Sequence, residues 1–320
     1  MEQGWAWWIG FNAAVLVMLA LDLGVFHRRS HEVKFKEAMF WSVVWTLVAG
    51  IFNLGLWIGW FGAYSPEARG RAALEFLTGY LIERSLSFDN LFVFAVIFTY
   101  FSVPRIYHHR VLFWGILGAL IFRAIFIFGG LELINRFEWM IFVFGAFLIF
   151  TGVKLGLAKD QEIQPEKNPI VRLMRRFVPL SPGYVGGRFI ARIDGRRLAT
   201  PLLLVLVFLE TTDIVFALDS IPAVFGITRD AFIVFTSNIF AILGLRALYF
   251  VLAAFMKMFA YLSYGLAVLL VFIGAKMLAE PLLHWKMPVG VSLGIVAVIL
   301  AVAVVASIVK PPRPRAGVTP

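Results

Sequence analysis

The sequence predicts an all-α polytopic membrane protein with about nine transmembrane helices, in which helices three to five and six to eight form an inverted repeat. Three observations lead there. Of the 320 residues, 61% are hydrophobic and only 15% are charged, with a mean hydropathy of +0.88; soluble domains run near 45–50% apolar and about 25% charged. The apolar residues gather in stretches close to the ~20 residues a helix needs to cross a bilayer. Two of those stretches carry one acidic pattern, Glu83-Arg-Ser-Leu-Ser-Phe-Asp89-Asn90 and Asp213-Ile-Val-Phe-Ala-Leu-Asp219-Ser220. Each reads acid, five residues, aspartate, then a small oxygen-bearing side chain.

The expected spans are 5–26, 39–61, 74–100, 111–134, 139–157, 201–225, 231–255, 263–280 and 288–309. Met1-Glu2-Gln3-Gly4 lacks the basic start of a cleaved signal, and Trp5, Trp7 and Trp8 read as an interfacial belt at the head of the first span. Asp22 stands near the inner end of that span, as a polar anchor or part of a cytoplasmic mouth; His27 and His31, four apart, read as interfacial anchors. Glu75 opens the third span, where it lines an outer vestibule or favours the helix dipole. Lys154 and Lys276 lie near span ends and are expected to snorkel, and Met256, Met258 and Met277 to pack. Residues 158–200 are the one long loop, basic and holding Pro165, Pro169, Pro179 and Pro182. Within it, the segment around Asp194-Gly195 predicts a short hairpin; the rest reads as a solvated connector between repeats. The Pro-rich tail, 311–320, is expected to be disordered.

Lysine and arginine alternate along these spans. With the N-terminus outside, the inner segments hold nineteen of them and the outer segments five. That bias places the N-terminus outside and the C-terminus in the cytoplasm. It also accounts for the net charge of +10, so no nucleic-acid partner is expected; the bilayer is.

The repeat rests on three elements in one order, within 74–157 and 201–280. After the acidic motif, Ile116-Leu-Gly118 with Arg123-Ala124 matches Ile242-Leu-Gly244 with Arg246-Ala247. Phe147-Leu-Ile-Phe-Thr-Gly152-Val-Lys154 then matches Leu269-Leu-Val-Phe-Ile-Gly274-Ala-Lys276. The charge bias runs the third span inward and the sixth outward, so the copies are inverted. Polar interruptions at corresponding points of inverted repeats mark the substrate sites of transporters.

A carboxylate in hydrocarbon costs roughly 3 kcal/mol on insertion scales, so acids placed there are expected to be used. Residues seven apart share a helical face, which aligns Glu83 with Asn90 and Asp213 with Ser220. On a regular helix Asp89 and Asp219 point about 120° away, and local unwinding would bring them to the same cavity. Pro222 supplies a cause in the second motif, because it leaves the Leu218 carbonyl without its N–H; Ser85 and Ser87 compete for backbone bonds in the first. Glu210 lies one turn before Asp213 on the same face. The expected metal ligands are therefore Glu83, Asp89, Asn90, Glu210, Asp213, Asp219 and Ser220. All are hard oxygen donors, suited to Mn²⁺, Ca²⁺ or Mg²⁺. Arg84, Arg123 and Arg246 are the mid-span counter-charges, with Arg123 and Arg246 expected to pair with acids. Five acids against three arginines leave two negative charges, which one divalent cation neutralises. Crowded carboxylates titrate together, so exchange of metal for protons is expected.

Other classes find little footing. No cysteine is present, which removes thiolate metal sites, disulfides and thiol catalysis. No His-Glu-x-x-His occurs, and neither aspartate carries the Gly-x-Gly-Asp flank of an intramembrane aspartyl protease. No enzymatic activity and no cofactor are expected.

Three segments carry a family resemblance: Gly79-Tyr-Leu-Ile-Glu-Arg-Ser-Leu-Ser-Phe-Asp-Asn-Leu-Phe-Val-Phe94, Glu210-Thr-Thr-Asp-Ile-Val-Phe-Ala-Leu-Asp-Ser-Ile-Pro-Ala-Val-Phe225, and Thr236-Ser-Asn-Ile-Phe-Ala-Ile-Leu-Gly-Leu-Arg-Ala-Leu-Tyr-Phe250. Together with Asp22-Leu-Gly-Val-Phe-His-Arg28, they make the chain resemble the TerC family of integral membrane proteins over residues 5–285, and within it the Alx-type manganese exporters. The resemblance implies divalent-metal efflux, chiefly Mn²⁺, from the bacterial cytoplasm across the inner membrane, and a wider stress role linked to tellurium resistance. It assigns the family's acidic motif to Glu83, Asp89, Asn90, Glu210, Asp213, Asp219 and Ser220. Ca²⁺ transport is the alternative within this class. A non-transporting membrane scaffold that recruits partners through 158–200 is the alternative outside it.

Overall fold

The computed structural model describes residues 5–21, 35–60, 64–157, 179–193, 195–255, 262–284 and 286–309. Asp22, His27, His31, Pro165, Pro169, Asp194, Met256, Met258 and the tail 311–320 lie outside the described residues, as does the side chain of Asp89. The described chain forms helices α1 (Trp5–Leu21), α2 (Phe35–Ile58), α3 (Pro66–Tyr100), α4 (Arg105–Arg136) and α5 (Met140–Leu157). The strands β1 (Ile190–Ile193) and β2 (Arg196–Ala199) follow, then α6 (Pro201–Phe225), α7 (Ala231–Leu243), α8 (Leu245–Phe255), α9 (Leu262–Leu283) and α10 (Val289–Val309).

The chain is an integral, multi-pass, helical membrane protein. Among the described residues, six helices (α2, α4, α5, α6, α9 and α10) are long and apolar enough to cross a bilayer, and α7 with α8 passes the same test only as a pair bent by 42°. The remaining two of the nine expected spans are of another kind. α1 is a shorter apolar helix of 17 residues. α3 has 35 residues, ample in length, but carries seven charged side chains. Outward-facing residues such as Phe40, Ile121, Phe150 and Val302 are more than half exposed, as a lipid-facing surface requires.

Local chemistry sets the helix ends. α3 starts at 66 rather than 74 because extended Ser65 and Pro66 open a helix eight residues earlier; Thr200 and Pro201 do the same for α6. Asp230 caps α7, its carboxylate accepting the N–H groups of Phe232 (2.9 Å) and Ile233 (3.3 Å).

The expected unwinding of the two acidic motifs does not occur. α3 runs unbroken past Glu83–Asn90, with the Ser85 and Ser87 hydroxyls donating to the Leu81 and Glu83 carbonyls inside the helix. α6 continues through Pro222 to Phe225. The break falls instead at Gly244, between α7 and α8. Irregular backbone at membrane depth needs substitute partners, and Arg84 provides one: its Nη1 donates to the Ala241 carbonyl (3.3 Å) and its Nη2 to Ser42 Oγ (3.3 Å). A Cβ at position 244 would collide with that guanidinium.

α3 packs on α6 and α7, and α4 packs on α6 and α7, so these four helices enclose the centre of the molecule. α1 and α2 cover α7 with an aromatic layer in which Trp8, Phe11 and Phe52 meet Phe232, Phe235 and Phe240. The most extensive helix pair is α5 with α9. Gly152 lies against Ala267 and Val271 while Gly145 lies against Gly274 and Leu278, so the two helices run antiparallel at near backbone contact. The hairpin is antiparallel with Ile193 opposite Arg196, leaving a two-residue turn in which Gly195 takes φ +79°.

Candidate functional site

Arg123 of α4 sits fully buried at the centre of the four-helix core. Its Nη1 donates to Glu83 Oε1 of α3, to Asn238 Oδ1 of α7 (2.8 Å) and to Ser220 Oγ of α6 (3.3 Å). Its Nη2 lies 3.5 Å from Asp213 Oδ1 of α6. Asn238 Nδ2 returns a bond to Glu83 Oε2 (3.1 Å), and Asn90 Nδ2 of α3 donates to Asp213 Oδ1 (3.4 Å). Glu83, Asn90, Asp213, Ser220 and Asn238 are all buried. Two carboxylates, the Asn238 amide and the Ser220 hydroxyl thus meet one guanidinium, with Asn90 behind Asp213 and one negative charge in excess.

The network is incomplete. Arg123 Nε and Nη2 and Asp213 Oδ2 make no hydrogen bond within the protein, and an unmade bond of that kind costs about 1–3 kcal/mol in a buried setting. A cavity of about 20 Å³ reaches Asp213, walled by Phe94, Ile116, Ala119, Leu209 and Arg246. That is room for one water-sized occupant. One turn before Asp213, Glu210 places its carboxylate where a side chain at Gly118 would stand, and its Oε2 is also buried without a partner. Gly118→Val is therefore expected to evict Glu210 from the α4–α6 seam. The thermal midpoint in detergent should fall by several degrees, whereas Gly129→Ala, also on α4 and with nothing within 4 Å of its Cβ, should leave it unchanged or slightly raised.

Of the expected ligands, Glu83, Asn90, Asp213 and Ser220 converge, on the faces that seven-residue spacing predicts. Glu210 lies beside them. Asp219 turns away, toward Thr151 and Lys154 of α5. Asp89 falls on α3 by backbone alone. Among the described residues, no three Asp, Glu or His side chains group as a metal cage. Of the expected counter-charges, Arg123 pairs with Glu83 and Asp213, Arg84 serves the Gly244 break, and Arg246 Nη1 meets His109 Nε2 at 2.9 Å.

Asn238 escaped the sequence reading. Its signal is Thr236-Ser237-Asn238, a polar run inside an apolar helix, with all three residues at 0% exposure. Lys276 does not snorkel. It is buried and its Nζ donates to the Gly226 carbonyl (2.8 Å), with Glu280 3.7 Å away. Glu75 is buried too, bonded by Arg71 (2.7 Å) and Thr228 (2.6 Å).

A family profile described as "Integral membrane protein TerC family" matches residues 68–315. The chain belongs to the TerC family. Among curated relatives, a membrane protein of Myxococcus xanthus, STKORF319, is 54% identical over 303 residues, covering 95% of this chain and 92% of the relative. Alx of Escherichia coli K12, provisionally described as a membrane-bound redox modulator, is 48% identical over 299 residues, covering 92% and 91%. A membrane protein of Rickettsia felis is 39% identical over 304 residues, covering 95% and 97%. No solved structure matches the chain. In this TerC protein the profile match takes in every member of the buried network, from Glu83 to Asn238.

Proposed function

We propose that this TerC-family protein is a divalent-cation transporter that exports Mn²⁺ from the bacterial cytoplasm across the inner membrane, with protons as the counter-flow. The observation that carries this reading is Asp213: a buried carboxylate with one oxygen unpartnered, at the end of a water-sized cavity, inside a shell of hard oxygen donors. Such a shell suits Mn²⁺, with Ca²⁺ next.

In this reading Arg123 is the resident cation of the substrate-free state. It holds Glu83 and Asp213 in place, and a divalent ion must displace it. Two carboxylates neutralise Mn²⁺, and Asn90, Ser220 and Asn238 contribute neutral oxygens once the guanidinium swings off. Return of Arg123, together with protonation of a carboxylate, releases the ion. Glu210, one turn before Asp213 with its Oε2 buried and unpartnered, is the staging carboxylate. The sequence matches between 74–157 and 201–280 support two opposed halves of the kind alternating access needs. The charge bias supplies the orientation, N-terminus outside and C-terminus inside.

The description attached to Alx, redox modulation, fits metal traffic better than thiol chemistry here. With no cysteine, this chain has no thiol–disulfide couple to contribute.

The deciding measurement is Mn²⁺ flux in proteoliposomes. Flux is expected to rise several-fold when the opposite compartment is acidified and to need no other ion. Flux that ignores an imposed pH gradient removes proton exchange. Absence of any Mn²⁺ or Ca²⁺ flux removes the transporter.

A further inference from the structure

The hairpin that feeds α6 carries a feature the transport reading does not use. Antiparallel register sets Arg192 directly opposite Arg197. Like charges in opposed positions destabilise a strand pair, and a two-stranded hairpin has little stability to spare. Ile190 shares that face by the two-residue alternation of β1 and is 58% exposed. Arg188, just ahead of β1, is exposed as well. Between Ile190 and Ala199 the hairpin holds three arginines and a single acid, Asp194 of the turn.

Its position is fixed by contacts to the helix ends. Tyr184 Oη donates to the Phe101 carbonyl at the end of α3 (2.7 Å). Phe189 rests edge-on against Trp114 of α4 (6.4 Å) and under the Arg110 guanidinium (5.5 Å). Thr200 ties the strand to α6 through the Arg188 and Phe189 carbonyls. Trp114 is 49% exposed, on the third turn of a helix that crosses the bilayer, the depth at which tryptophan marks the headgroup boundary. The hairpin therefore lies at the membrane surface.

We propose that the face formed by Arg188, Ile190, Arg192 and Arg197 docks on anionic phospholipid headgroups of the adjacent leaflet. A phosphate between Arg192 and Arg197 relieves their repulsion and takes charge-assisted bonds from both. Ile190 enters the acyl boundary beside it. Arginine–phosphate attraction and one inserted apolar side chain together are the ordinary chemistry of interfacial binding.

The absence of native cysteine makes Ile190→Cys a unique labelling site. The full-length protein, labelled there with an environment-sensitive fluorophore, is placed in nanodiscs of phosphatidylcholine alone or mixed with phosphatidylglycerol. Phosphatidylglycerol is expected to shift the emission to the blue and reduce iodide quenching several-fold. Arg192→Gln with Arg197→Gln should return the signal to the phosphatidylcholine level, and the paired lysine variants should retain most of the response. A label at Arg196→Cys, on the opposite face, should change little. Three outcomes overturn the proposal: equal quenching in both bilayers, equal responses at 190 and 196, or loss of the effect with inorganic phosphate, which indicates a free-anion site instead. These exposed positions carry no core contact, so folding is retained and checked by elution as a single species.

Discussion

Asp213→Asn is expected to abolish Mn²⁺ export while leaving the protein in the membrane at near wild-type amounts. Cells carrying the variant should accumulate manganese to the level of cells without the protein, read by elemental analysis. The asymmetry comes from how Asp213 is held. Its link to Arg123 is a 3.5 Å ion contact, not a formed hydrogen bond, and its second oxygen has no partner. An isosteric amide therefore costs stability of about 1–3 kcal/mol but removes half of the charge that receives the ion. Glu83→Gln is a poorer probe. Glu83 accepts from both Arg123 and Asn238 at 0% exposure, and stripping the main partner from a buried guanidinium costs about 3–5 kcal/mol. That variant is expected to lose export and protein together. Asp219→Asn separates the two sides of α6: it faces Thr151 and Lys154, so it should weaken the α5–α6 contact and leave residual export. If the Asp213 variant exports normally at matched levels, the central cluster only fastens helices, and the transport reading has no site.

The faces of the site were legible because spacing survives wherever a helix is regular. Seven residues separate Glu83 from Asn90 and Asp213 from Ser220, and unbroken α3 and α6 deliver Glu83, Asp213 and Ser220 to Arg123 and Asn90 to Asp213. The continuity of α6 was not legible, because Pro222 turns out to lie one turn from the end of the helix, where few carbonyls are left to disturb. The true break at Gly244 looked like one element of a repeat. What marks it is Arg84, 160 positions away in sequence, a contact no local pattern contains. Lys276 was misread for a related reason. A span ending at 280 puts it near water, but α9 continues to Leu283 and leaves it two turns inside, where Gly226 supplies its acceptor. Asn238 follows the same logic: a polar residue in an apolar helix declares a need for partners, but only the fold says which.

Gly274→Val is expected to be the most destabilising single change outside the central cluster. A Cβ there would stand 2.6 Å from the Gly145 carbonyl oxygen and 3.0 Å from the Ile149 nitrogen. Both are backbone atoms of α5, which cannot rotate away as a side chain would. The helices must separate along their most extensive contact. Within a bilayer this pair has no hydrophobic driving force to compensate, because lipid tails solvate the exposed faces equally well. Overpacking of this kind costs about 3 kcal/mol. The thermal midpoint in detergent should fall by several degrees, with loss of monodisperse protein. Gly50→Val tests the opposite case, since nothing lies within 4 Å of that Cβ and valine is the better helix former; its midpoint should hold or rise slightly. The consequence reaches the site from both ends. α5 carries Thr151 and Lys154 against Asp219, and α9 carries Lys276 against the Gly226 carbonyl just beyond α6. Separating α5 from α9 therefore loosens both supports of the helix that holds Glu210 and Asp213. Export should decline in a weaker Gly274→Ala variant before the protein itself is lost, and an Ala variant with full export and an unchanged midpoint would show that α5 and α9 do not meet as described.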